Sequence, residues 1–457
     1  MVGFGSIGQG VLPLIFRHVA IKPDQVTIVT RDDAGEKVAA EYGVRFVRQS
    51  LTRENFKKVL DPLVGRGDFL LNLSVDVSSV ALIQFCWEQG SLYLDTCIEP
   101  WAGGYMDLTA PPARRTNYAL RETALALRNA KVKAPTAVIT HGANPGLVSH
   151  LVKQALLNVA ADTGLEHAEP ASREDWARLA KELDVKVIHI AERDTQMAAH
   201  PKEQGEFVNT WSVDGFTGEG CQPAELGWGS HEKNWPRDGK KHDTGRGSAI
   251  YLMQPGAATR VRTWTPLARH FHGFLITHGE SISISDYLTL KKGEKVEYRP
   301  TVHYAYHPCD DAVLSVHEFA GRNWHVQERK RIMMDEIVKG VDELGVLLAG
   351  HRKNAYWYGS QLSVQEARQL CPHNNATSLQ VTVSVLAGLV WAMENPNEGV
   401  VEPEDLDYRR ILEVCRPYLG TVVGEYTEWH PLVDRARLFP EDIDQTDPWQ
   451  FKNVRVV

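Results

Sequence analysis

Three glycines within the first eight residues, in Met-Val-Gly3-Phe-Gly5-Ser-Ile-Gly8, constrain this chain more than any other feature. They stand directly before Ile7, Val11, Leu14, Ile15 and Val19, a spacing that predicts one apolar face of a helix. A strand that turns on glycine into a helix makes a seat for a dinucleotide pyrophosphate. The first glycine permits the tight turn, the second lets backbone approach phosphate, and the third lets helix and strand pack closely. The anion then rests on free N–H groups at the positive end of the helix.

The chain that follows supplies the βαβ context. Strands are predicted at 25–30, 44–47, 68–74, 92–95 and 137–140, with helices at 78–88 and 118–128 between them. Short apolar runs alternating with helices imply a parallel sheet with right-handed crossovers. Two details depart from the ideal. Thr30 stands where an acidic residue would bind ribose hydroxyls, and Asp32 and Asp33 come later; Arg31 beside them suits a 2′-phosphate, so this position leaves NAD and NADP both open. Pro13 lies inside the first helix and predicts a kink. Only Met1 and Val2 precede Gly3, where a central strand of about five or six residues is expected, so this reading expects further residues upstream.

At 457 residues there is room for two or three domains. A net charge of −8 with mixed signs argues against a nucleic-acid surface. Six cysteines without a CxxC pair read as reduced cytoplasmic thiols rather than a disulfide frame or zinc site. No apolar run is expected to reach the roughly 18 residues that span a bilayer, so no membrane is expected. The expected class is α/β: a Rossmann-type dinucleotide-binding domain over 1–142, then an α+β domain over 143–374 with a mixed or antiparallel sheet. A C-terminal segment, 375–457, carries an apolar helix at 376–393 expected to pack back on the first domain. Within the second domain, helix is expected at 166–178 and strands at 187–191, 207–213, 249–253, 273–277, 281–285, 296–306 and 343–348.

Acids and an aromatic gather at predicted strand ends, where open α/β folds bind ligands. Asp76, Glu99, Glu192 and Glu219 stand with Trp211, which is placed in a strand, and together they suit a small organic cation. Carboxylates hold an ammonium by charge-assisted hydrogen bonds, and a tryptophan face adds cation–π attraction. Taken singly, each carboxylate reads as a surface acid or cap, and Trp211 as a core aromatic. His278 and Glu280 end another apolar strand, and a histidine there titrates near neutrality as a proton shuttle. His303 and His307 share a strand face about 13 Å apart, too far for one metal, and are read as packing; no metal site is expected. No G-x-S-x-G, P-loop or HExxH motif is present.

Longer motifs carry a resemblance. Asn72-Leu-Ser-Val-Asp76, Asp95-Thr-Cys-Ile-Glu-Pro-Trp101, Gly142-Ala-Asn-Pro-Gly146, His189-Ile-Ala-Glu-Arg-Asp194, Ala224-Glu-Leu-Gly-Trp-Gly229, His303-Tyr-Ala-Tyr-His-Pro308, Asn354-Ala-Tyr-Trp-Tyr-Gly359 and Asp447-Pro-Trp-Gln-Phe451 resemble the bacterial NAD-dependent homospermidine synthases, along essentially the whole chain. Saccharopine and carboxynorspermidine dehydrogenases are more distant relations with the same two-domain plan. The resemblance implies a redox-neutral aminobutyl transfer. Bound NAD takes hydride from putrescine, the imine loses ammonia to water or exchanges with a second diamine, and the resulting Schiff base is reduced by the same NADH to homospermidine. It further implies a homodimer, with spermidine and other diamines as further candidate amines.

By the same resemblance Trp211 steadies the passing iminium, while Glu192 and Glu219 hold amino groups and move protons. Asp76 and Glu99 anchor a distal ammonium, His278 and Glu280 line the inner site, and Asn144 touches nicotinamide or substrate. Cofactor contacts are expected from Gly3, Gly5, Ser6, Ile7, Gly8, Thr30, Ser74, Thr96 and Asn144. Two alternatives stand beside this reading. A carboxynorspermidine- or saccharopine-type dehydrogenase would aim a basic side chain at a substrate carboxylate. A non-catalytic NAD-binding module would leave the acidic pocket without purpose.

Overall fold

In a computed structural model, which describes all residues but Met106, Leu108, Lys131 and Val132, the first ~140 residues form a parallel sheet flanked by helices. Its strands lie in the order Arg45–Arg48, Thr27–Thr30, the single residue Val2, Phe69–Asn72, Leu92–Asp95, Ala137–Val138 and Val400–Val401. At the centre Val2 bridges to Val29 on one side and Asn72 on the other. Val2 N–H donates to Leu71 and Leu73 N–H to Val2, while Gly3 N–H donates to Val29 and Val29 N–H to Met1. These bonds join two half-sheets into one. The last edge strand comes from the far end of the chain, a pairing of two residues too short to leave a sequence pattern.

Turn chemistry explains the first crossover. Gly3 sits at φ +83°, and a Cβ there would lie 2.6 Å from the backbone of Leu73 and Ser74. The helix Ser6–His18 follows at once and runs on through the buried Pro13. On its far side it meets the long helix Ala376–Glu394, which lies between the two domains. There Val383 and Leu386 share a core with Val11, Leu14 and Leu94 of the first domain and with Leu344 and Val346 of the second.

That helix corrects one expectation. It has 19 residues, with an 18-residue stretch at a mean hydropathy of 1.5, and is long and apolar enough to cross a bilayer. It is instead buried in protein, and its polar side chains find partners inside: Gln380 donates to Ser360, and Thr382 to Asn374.

The second domain is built on a ten-stranded mixed sheet. Val187–Asp194 at its centre runs parallel to Thr301–His307 and antiparallel to Val341–Ala349. Several predicted elements shift. The helix expected at 166–178 is Arg173–Glu182, started by the Ser172 capping box. The strand expected at 281–285 is the helix Gly279–Tyr287. The alternating Ser and Ile residues misled because this helix is buried nearly all round, so no amphipathic period marks it. The strand expected at 273–277 stops at Phe274, and the one expected at 296–306 breaks at Arg299-Pro300 into two. Trp211 is not in a strand. Glu206–Asn209 ends before it, and Ser212 caps the helix Val213–Cys221, which carries Glu219.

The domains are tied by buried charge. Arg121, on the first-domain helix Asn117–Ala130, donates to both oxygens of Glu402, at 2.6 and 2.8 Å, and to Asp286 of the second domain at 2.9 Å. Glu225 of the second sheet accepts the N–H groups of Asn117 and Tyr118 that begin the same helix.

Candidate active site

At the carboxyl edge of the parallel sheet a cleft is lined by Cys97 and Thr140 of the first domain and by Glu219 and His278 of the second, while Asp76 lines a neighbouring cavity with Arg31 and Asp214. On the first-domain side, the turn after Phe69–Asn72 is shaped by Asn72, whose Oδ1 accepts from the hydroxyl of Ser74 at 2.6 Å. Asp76 follows at φ +68°, and its N–H donates to Glu99 at 3.1 Å. Glu99 leaves the end of Leu92–Asp95 and also accepts from the Cys97 thiol at 3.0 Å. Burial pushes its carboxyl up to about 7, against the hydrogen bonds from Cys97 and Asp76.

Across the cleft, Glu219 Oε2 lies 3.2 Å from His278 Nε2, and His278 Nδ1 lies 3.3 Å from Glu280 Oε1. This chain modifies the expectation of a histidine titrating near neutrality. Burial opposes charge on His278, but the two carboxylates overcome it and raise the imidazole to about 10. His278 is therefore an imidazolium at neutral pH.

Glu192, on the central strand, accepts from Asn144 Nδ2 at 2.7 Å and from the Tyr304 hydroxyl. Burial drives its carboxyl up to about 7 despite these donors. Tyr304 stacks on Tyr306 with ring centroids 5.1 Å apart and packs against His278 at 4.1 Å. Trp211, half-buried, is anchored by Nε1–H to the Tyr306 hydroxyl at 3.1 Å. Tryptophan, two tyrosines, histidine and glutamate thus form one continuous wall.

Tyr304 and Tyr306 carry no signal of their own in the sequence, where they alternate with His303, Ala305 and His307 as an ordinary strand. Period two puts both tyrosines on the site face and His303 on the other, where its ring packs 4.2 Å from that of His189. Cys97 and Thr140 line the cleft beside Glu219 and His278 and were likewise not singled out.

The proposed cofactor positions occupy the turns at the carboxyl edge of the parallel sheet: Gly3, Gly5, Ser6, Ile7 and Gly8 in the first, then Thr30, Ser74 and Thr96 at the ends of successive strands. The geometry fits a dinucleotide. Gly5 is exposed, a Cβ on it would meet nothing within 4 Å, and no side chain caps the helix it begins. An anion can therefore approach the helix N-terminus against bare backbone. Asn144 follows the next strand, Ala137–Val138, on a loop whose Gly142 lies beside Thr96, and its amide donates to Glu192.

Residues 1–139 match the saccharopine dehydrogenase NADP binding domain and residues 142–427 the saccharopine dehydrogenase C-terminal domain. Homospermidine synthases of Blastochloris viridis and Mesorhizobium japonicum are 57% and 55% identical, each over 100% of this chain and 96% of the relative. The chain belongs to the homospermidine synthase family. A crystal structure of the family's member from Legionella pneumophila, in complex with NAD, is 51% identical, with a TM-score of 0.94 over 100% of this chain and 97% of that one. The two family models cover the two halves of the fold.

Proposed function

We propose that this chain is an NAD-dependent homospermidine synthase that joins two molecules of putrescine, releasing ammonia. The observation that carries this reading within the structure is the sign of the cleft. Glu219 and Glu402 line it, Glu280 backs it through His278, Glu192 through Tyr304 and Glu99 through Cys97, while Asp76 lines a neighbouring cavity with Arg31 and Asp214. The arginine that lines it, Arg121, has its Nε and Nη2 already given to Glu402 and Asp286. Its Nη1 has no hydrogen bond among the described residues and lies 3.7 Å from Glu122. A saccharopine-type substrate would need further cations for its carboxylates; a diamine needs the acids that are present. The full-length identity to homospermidine synthases supports the same reading.

Gly3, Gly5, Ser6, Ile7, Gly8, Thr30, Ser74 and Thr96 would hold the cofactor. Bound NAD supplies the electron acceptor that turns an amine into an imine and, once reduced, the donor that reduces the final imine, so none is consumed. The protein's own groups manage charge and protons. A diamine arrives with both amines protonated, and the reacting nitrogen must first be made neutral. Glu192, poised near neutrality and held by Asn144 and Tyr304, is the base. Trp211 offers its face to the iminium that results. When the second diamine adds to the imine carbon, His278 in its charged form gives a proton to the departing nitrogen, and Glu219 and Glu280 keep it charged. Asp76 and Glu99 hold the distal ammonium.

Activity is expected to rise with pH through about 7, as Glu192 and Glu99 lose the protons that burial makes them retain. The opposite limb follows loss of the His278 proton toward about 10. Glu192→Gln should remove most of the activity and flatten the acid limb. A pH profile of homospermidine formation that keeps that limb in the variant would assign it elsewhere. The function itself is tested by incubating the protein with putrescine and catalytic NAD. Homospermidine and ammonia in equal amounts support it; steady NADH accumulation points to an ordinary dehydrogenase, and no product to a binding module.

Two finer points belong to the same proposal. The cysteines are unpaired thiols, which fits the cytoplasm. Leu438 and Phe439, 85% and 78% exposed, give an apolar patch that a second copy of the chain would cover in a homodimer.

A further inference from the structure

The end of Thr27–Thr30 is where a dinucleotide fold separates NAD from NADP, by an acid that takes ribose hydroxyls or an arginine that takes a 2′-phosphate. This chain has Arg31 there, the residue type suited to the phosphate, and its first domain matches a family model described as NADP binding. Yet the Legionella pneumophila relative was crystallised with NAD. The resolution lies in the other domain.

Arg31 does not stand free. Its Nη2 donates to Asp214 Oδ2 at 2.7 Å, and its Nε lies 3.7 Å from Asp32. Asp214 belongs to the first turn of Val213–Cys221, 183 residues away, and its second oxygen accepts from Lys330. Arg48, at the end of the neighbouring strand, is paired with Asp33 at 3.4 Å. Arg31, Arg48 and Lys330 therefore each face a carboxylate. A 2′-phosphate entering here would have to compete with Asp214 for Arg31 and sit near Asp32 and Asp33.

We propose that Asp214 is a specificity-determining residue: by holding Arg31 across the domain boundary, it withholds that guanidinium from a 2′-phosphate and biases the groove toward NAD. This rests on the dinucleotide reading of the groove and not on the identity of the amine substrate. The ion pair is partly exposed, so its effect is on selectivity rather than on folding.

The test is direct binding of NAD and of NADP to the full-length protein, by calorimetric titration, for the parent, Asp214→Asn, and Asp214→Asn combined with Arg31→Ala. Asp214→Asn is expected to tighten NADP by about tenfold, the scale of one charge-assisted contact, with NAD changed by less than about threefold. The double variant should lose that gain. Three results would overturn the proposal. The first is NADP binding unchanged in Asp214→Asn while NAD still binds. The second is a gain that survives Arg31→Ala, which would mean that Asp214 merely repels phosphate. The third is loss of NAD binding in Asp214→Asn, which would make Asp214 part of the cofactor seat itself. Homospermidine formation by the parent protein tests the enzymatic reading separately.

Discussion

Replacing Trp211 by alanine should leave a folded protein that binds NAD and has lost most of its turnover. A tryptophan face is worth up to about 2 kcal/mol to a desolvated cation, which as a barrier change is roughly 30-fold in rate. Only the face differs between Trp211→Phe and Trp211→Ala, because both leave the Tyr306 hydroxyl without its indole partner. The phenylalanine variant is therefore expected to keep more activity. A core aromatic would behave otherwise, costing roughly 3 to 5 kcal/mol of stability when cut to alanine, with activity falling only as the protein unfolds. Thermal melts beside kinetics separate the two. A variant that folds, binds NAD and makes homospermidine at the parental rate would remove Trp211 from the chemistry.

The second large effect is on stability. Arg121→Met strands Glu402 and Asp286, whose side chains are 9% and 8% exposed, without their shared cation. Breaking a buried pair from one side costs roughly 3 to 5 kcal/mol, because the charge left behind is uncompensated. Asp286 keeps Arg173 at 3.2 Å, so the larger part of the loss should come from Glu402. A drop in the urea midpoint of that size is expected, with part of it recovered when Glu402→Gln is added. No change in midpoint would show that the cluster is spectator charge.

The nucleotide half of the fold was legible because its signals are local. Gly3, Gly5 and Gly8 mark a turn, and the strands Phe69–Asn72 and Leu92–Asp95 are short apolar runs, one set between Asp68 and Asn72 and the other between Ser91 and Asp95. What escaped was either featureless or distant. The helix Gly279–Tyr287 is buried nearly all round, so its serines and isoleucines show no face. The carboxylates could be picked out because strand ends in such folds gather ligands. The two tyrosines of the wall could not, because Tyr304 and Tyr306 join the site through register with Glu192 and through the loop that delivers Trp211. Distance hid the rest: Arg31 finds Asp214 183 residues on, and Arg121 finds Glu402 281 residues on.

The pairing of Val400–Val401 with Ala137–Val138 bears on how the molecule is made. A ribosome emits the N-terminal sheet early, at about 5–20 residues per second. Its outer edge, and the Ala376–Glu394 helix that covers the Ser6–His18 helix, emerge only after the second domain has been threaded through the exit tunnel. For tens of seconds the nascent nucleotide fold therefore carries an open strand edge and a bare apolar flank, the surfaces on which chaperones act. Neither half of this protein is finished until nearly all of it has been translated.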